Sequence, residues 1–360
     1  MLSSLSRKRL LFLVLLTFQL VALYPCAFGA SCTTQSQMTS AQRESLINTV
    51  RIMAMQIQVG DAQGLRALTI PAVAADFGGI MDSVVRLKPL IQQAAITVDT
   101  LYILDASTDP AAAQRTDFYC GSPVVVLTFA DLPPGTYALA VVHATGVPQP
   151  HQLSLILSKT HDNRWMLAGF FDKPMTEAGH DGLWYWVSAR KFAQAPSSWA
   201  AWFYYRQAAF LLDPLDLMSS PNLQKLQHET DDVHPGGLPV TDTLTLKTPG
   251  EAFAVTAIDT TTEFGGALDL EVHYTPDAAQ AAQLRDPMQA RKQVTEIMQA
   301  LLIQHPDLRD AFHGLWVRAD QGTNSLFALE LPMDSIVASR TLPSAVASPS
   351  QHVAVFPPQP

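Results

Sequence analysis

Apolar positions recur at helical spacing in the first part of the chain, at Leu46, Val50, Met53 and Ile57, with Thr39 or Ser40 placed to cap the start and Gly60 to stop it. A second helical stretch begins at Asp61, is interrupted at Pro71 and runs to about Ile91. After Gln93 the period changes. Residues 96–104, 123–129, 136–144, 152–159 and 165–171 are short apolar or alternating runs rich in β-formers, separated by turn residues such as Pro133-Pro134-Gly135 and Asp162-Asn163. Helices followed by an antiparallel meander predict an α+β unit over residues 39–175.

From Gly182 the helical period returns. Residues 182–194 and 198–213 read as two helices split by Ala195-Pro196, with Ser197 or Ser198 capping the second, and the hairpin spans 180–227. Residues 228–250, rich in Asp, His, Gly, Pro and Thr, read as a linker. A second, smaller α+β unit is predicted over 251–337. It has a strand pair at 252–258 and 267–274, a helix opened by Pro287 and running to about Gln304, and a second hairpin at 315–319 and 325–331. The tail from about residue 338 lacks core-forming periodicity and is expected to be disordered.

The order of helices, then long antiparallel strands ending in Trp165-Met166-Leu167, resembles the nuclear-transport-factor-two-like, or polyketide-cyclase-like, α+β cone over residues 40–175. That resemblance implies a curved sheet wrapped around a helix and enclosing a pocket. The run Ala208-Ala209-Phe210-Leu211-Leu212-Asp213-Pro214 is similar to the closing half of a tetratricopeptide unit, with Trp186 near that family's early aromatic and Trp202 where the family keeps a small residue. A single such unit reads as a helical hairpin packed on its neighbours.

Targeting changes the picture most. Arg7, Lys8 and Arg9 precede an apolar run over 10–23 that is shorter than the roughly 20 residues needed to span a bilayer, and small residues follow before Cys32. Residues 1–31 therefore read as a cleavable signal peptide, cut before Ala30 or before Cys32, and the protein is expected to be exported, periplasmic or secreted. Gly29-Ala30-Ser31-Cys32 resembles the end of a bacterial lipobox, with Gly29 where that pattern has a leucine-like residue, so a lipid anchor on Cys32 is the alternative and the one route to a membrane. Cys26 leaves with the signal, and Cys32 and Cys120 form the expected disulfide. The formal charge is −9, and loss of the three basic residues of the signal leaves 20 basic against 32 acidic side chains. That balance excludes a nucleic-acid partner, whose affinity comes from displaced counterions.

No nucleophile elbow, phosphate-binding loop, zinc helix or paired-cysteine motif is present, and no cofactor is expected. His143, embedded in an extended run, is the candidate acid or base, with Asp99, Asp105 or Asp117 as partner by residue type. His228, Glu229, Asp231, Asp232 and His234 have metal-ligand chemistry but lie in the predicted linker, so no metal site is assigned there. Trp184, Trp186, Trp199, Trp202 and Tyr205, with Tyr185, Phe203 and Tyr204, form the densest aromatic group and the candidate surface for an unknown protein, peptide or apolar ligand. The expectation is a non-catalytic binding or assembly module of the bacterial cell envelope. A small-molecule enzyme using His143 is the alternative.

Overall fold

The computed structural model describes residues 30–108, 114–122, 124–194, 198–233, 235–240, 242–248, 250–263 and 266–338. The signal-like segment, His234 and the tail from 339 lie outside them. The fold is α+β with largely antiparallel sheets. No helix among the described residues is long and apolar enough to cross a membrane.

The first unit opens with strand β1 (Ser31–Thr34) and helices α1 (Ser40–Val59), α2 (Ala62–Ala67), α3 (Pro71–Ala75) and α4 (Gly78–Ile91). Thr39 caps α1 with a reciprocal pair: its Oγ1 accepts from the Gln42 amide, and its own amide donates to Gln42 Oε1. Gly60, at φ 77°, ends the helix in the left-handed region, where a side chain would be strained. Strands β2 (Ala95–Asp105), β5 (Thr136–Thr145), β6 (His151–Lys159) and β7 (Trp165–Pro174) join β1 in one antiparallel sheet of order β1-β2-β5-β6-β7. Alternation decides its two faces. Ala138, Ala140, Val142, Leu153, Leu155 and Leu157 pack against Leu46, Val50, Met53 and Ile57 of α1. These side chains are fully buried, so the space between helix and sheet is filled.

The run at 123–129, expected inside the meander, lies elsewhere. Strands β3 (Arg115–Cys120) and β4 (Val125–Ala130) pair with each other, and β4 pairs with the short β10 (Met218–Ser219), giving a separate three-stranded sheet. Phe118, Leu127 and Phe129 of this sheet pack on Leu104, Tyr137, Leu139 and Ile156, the other face of the main sheet. Both faces of the first sheet are thus covered. Cys32 on β1 and Cys120 on β3 are bonded across 88 residues, tying the edge of one sheet to the other.

A two-strand turn, β8 (Thr176–Glu177) and β9 (His180–Asp181), leads into α5 (Gly182–Phe192) and α6 (Trp199–Leu212), capped by Asp181 and Ser198 through their side-chain oxygens. Gly182 lies where a Cβ would come within 2.6 Å of Leu212 Cγ and 3.1 Å of the Ala208 carbonyl oxygen. The absence of that Cβ lets α5 approach α6.

Much of the expected linker is ordered structure. Helix α7 (Pro221–Val233) runs through residues 228–233, and β11 (Leu244–Lys247) pairs with β12 (Ala252–Thr261). The second sheet continues with β13 (Asp269–Thr275), then α8 (Ala278–Gln283), α9 (Pro287–Gln304), α10 (Leu308–Ala311), β14 (Gly314–Gln321), β15 (Asn324–Pro332) and α11 (Met333–Ala338). Its order is β11-β12-β13-β14-β15, antiparallel except for β13 and β14, which α9 links as a parallel crossover. One apolar cluster includes the hairpin aromatics, Ile297 and Leu301 of α9, and Leu270, Val272, Val317 and Leu329 of this sheet. Hairpin and second α+β unit therefore share a single core.

Candidate functional site

His143 does not meet the requirements of an acid or base in a pocket. Its neighbours Val142 and Ala144 face the helices, so His143 projects to the opposite side of the sheet. Its Nδ1 lies 3.9 Å from Asp99 Oδ1, beyond hydrogen-bond length. Asp99 sits at a β-bulge between Val98 and Thr100 and accepts from Thr100 Oγ1. Asp105 accepts from the Ser107 amide. Asp117 is on the other sheet, where Thr128 and then Arg115 hold its carboxyl below the usual carboxylate range. These residues are not brought together as a catalytic pair.

The aromatic group is mostly core. Trp186, Trp199, Trp202 and Tyr205 are buried, as are Tyr185, Phe203 and Tyr204, because α5 and α6 supply the apolar face that the second sheet and α9 need. Trp199 stacks on His305 at 3.7 Å, and the Tyr204 hydroxyl donates to the Ala311 carbonyl. Trp184, at 40% exposed, is the exception; it stacks on His180 beside the exposed Leu183 and Val187. Glu229, expected in the linker, stands on α7 and accepts from Trp186 Nε1 and from two nitrogens of Arg190. Arg190 holds its carboxyl below the ordinary range. This is a structural clamp between α5 and α7.

Ionisable residues concentrate on the outward face of the second sheet. While Leu270, Val272 and Tyr274 point into the core, the intervening Asp269, Glu271 and His273 point the other way. The pairing register sets Asp259, Glu271, Trp316 and Glu330 in one row across β12 to β15, with Ala257, His273, Arg318 and Ala328 in the next. His273 Nδ1 bonds Asp320 Oδ2 at 2.6 Å, and its Nε2 lies 3.5 Å from Glu271 Oε1. Arg318 pairs with Glu271, reaches Glu263 at 3.5 Å, and lies 3.8 Å over the Trp316 ring. Glu271 and then Asp320 push the His273 pKa up to about 9.

At one end of this face, Asp269 is fully buried, His313 precedes β14 and Glu330 lies on β15. His313 Nδ1 is 3.1 Å from Asp269 Oδ1, and one donor atom from each of the three residues lies within 4.8 Å of the others. Beside the face, a hollow of about 240 Å³ is lined by Phe203, Arg206, Gln207, Phe210, Asp259 and Thr260.

Sequence reasoning missed this face. Its members are scattered over 259–330, and the parallel pairing of β13 with β14 that gathers them leaves no local spacing. The alternation of Asp269, Glu271 and His273 with apolar residues is the one local signal of a polar strand face, and it carries nothing about the partners on β14 and β15. No family model, curated protein or solved structure matches the chain.

Proposed function

We propose that this chain is an exported envelope protein that works by binding, and that its working surface is the outward face of the second sheet, which takes a basic segment of a protein partner. The observation that carries this reading is the charge of that face. Asp259, Glu263, Glu271, Asp320 and Glu330 lie on it, against Arg318, His273 and Arg206, which is 3.7 Å from Asp259. An acidic surface steers cationic partners and disfavours anionic ones. Export is supported by the signal-like start and by the Cys32 to Cys120 disulfide, a bond that persists in oxidising compartments. A thioether lipid would need the Cys32 sulfur that the disulfide uses, so a free exported protein is favoured over a lipid-held one.

The first unit, which we read as a cone-like scaffold, has its helix-facing side filled by aliphatic side chains, and its His143 and Asp99 lie 3.9 Å apart, beyond hydrogen-bond distance. Among the hairpin aromatics, Trp184 and Phe210 stay exposed.

The test is retention of the secreted form on an immobilised lysine-rich peptide. Wild type binds saturably and loses affinity with added salt. Asp259→Lys with Glu263→Lys weakens binding by about tenfold or more, whereas Glu44→Lys with Asp82→Lys, an equal reversal on exposed helix positions of the first unit, leaves it unchanged. Equal loss in both pairs, or in neither, contradicts the assignment of this face.

A further inference from the structure

Two carboxyl groups meet at Gly314. A Cβ added there would come within 2.9 Å of Glu330 Oε1 and 3.1 Å of Asp269 Oδ1, so the glycine leaves room for both acids on one side of the sheet. Asp269 is fully buried, and its Oδ2 has no hydrogen-bond partner. A buried, unpaired carboxylate oxygen is costly, and a second carboxylate nearby makes ionisation of both costlier. A cation shared by the two carboxyls offsets their mutual repulsion.

The third donor is fixed in place. The His313 amide donates to the Leu268 carbonyl at 2.9 Å, and the His313 carbonyl accepts from the Met333 amide at 2.9 Å, so the backbone carrying the imidazole is pinned to both flanking segments. The three residues come from the start of β13, the residue before β14, and β15, so the sheet itself holds the donor set.

The geometry points to a site for one divalent transition-metal ion, held by a carboxylate oxygen of Asp269, a carboxylate oxygen of Glu330 and an imidazole nitrogen of His313. Donor atoms around a tetrahedral zinc at about 2.0–2.2 Å lie about 3.4 Å apart, so atoms already within 4.8 Å need only a small contraction. One nitrogen with two oxygens suits zinc, cobalt or manganese better than calcium or magnesium, which prefer oxygen alone. Three protein ligands leave a coordination position, and the half-exposed His313 side chain places the site at the solvent boundary, where water or a partner's side chain supplies the fourth. The site stands on its own donors, independent of whether the rest of the face takes a basic partner.

The secreted chain, stripped with a chelator, is titrated calorimetrically with Zn²⁺ and Co²⁺, with Mg²⁺ and Ca²⁺ as comparison. One Zn²⁺ per chain is expected, raising the melting temperature because the unfolded chain lacks the site. His313→Ala and Glu330→Gln, both at positions that are not fully buried, weaken binding by about tenfold or more, while His161→Ala, on an exposed turn of the first unit, does not. Absence of stoichiometric Zn²⁺ and Co²⁺ binding to folded wild type overturns the site. Undiminished binding in His313→Ala overturns it equally.

Discussion

His273 sits between two carboxylates, and the consequence is a stability that depends on pH. Its folded pKa is raised from the ordinary histidine value of about 6.5 to about 9, first by Glu271 and then by Asp320, against the opposing effect of burial. A raised histidine contributes fully below its unfolded pKa and loses that contribution as pH rises through the folded value. Wild type should therefore lose on the order of 2 kcal/mol relative to His273→Gln between about pH 6.5 and pH 9. Urea unfolding of both proteins across that range checks this, and parallel profiles would contradict it. At this scale the sequence was readable wherever the partner is local. Thr39, Gly60 and Ser198 stand at helix ends as their residue types predict, and Pro287 sits in the first turn of α9, because capping is decided within three or four residues. Asp320 lies 47 residues from His273, His313 44 from Asp269 and Arg190 39 from Glu229, and no local spacing encodes these pairs.

Elements were legible where their apolar stripe is strong. Helix α7 was not, because only Leu226 and Thr230 of its 13 residues are buried and the rest read as polar loop. Strand β11 is four residues long, too short for alternation to declare itself. Strand β4 was recognised as extended within 123–129 and β3 was not, and alternation reports that a strand has two faces and not which sheet it joins. Packing between elements makes its own prediction. Gly182→Ala forces a methyl against Leu212 and the Ala208 carbonyl, separating α5 from α6. Overpacking of this kind costs about 1–3 kcal/mol, and the same substitution at Gly179, where nothing lies within 4 Å, serves for comparison of side-chain clash against backbone strain at its positive φ. Thermal denaturation with a Gly182→Ala melting temperature equal to wild type would show that the close approach carries no load.

Across the whole molecule, three sequence segments become two packing units. The hairpin aromatics, expected as a binding face, fill the core that joins α5 and α6 to the second sheet, since rings of that size on adjacent helices find burial before they find a ligand. The first unit is closed differently, by a second small sheet on its back and by the Cys32 to Cys120 bond. Because that bond closes a loop of 88 residues, reduction should lower stability by about 2–4 kcal/mol, read as a shift in urea midpoint with and without reductant. An unchanged midpoint would mean that β1 and β3 hold together without it.

The claim that the acidic face of the second sheet is the working surface is tested most directly by mapping amide chemical-shift changes in the isotope-labelled chain as a lysine-rich peptide is added. The predicted perturbations are saturable and centre on Asp259, Glu271, Trp316, Arg318 and Glu330, one continuous patch across four strands. Perturbations centred instead on Leu183, Trp184 and Val187 of α5, or spread without saturation over the chain, would contradict it.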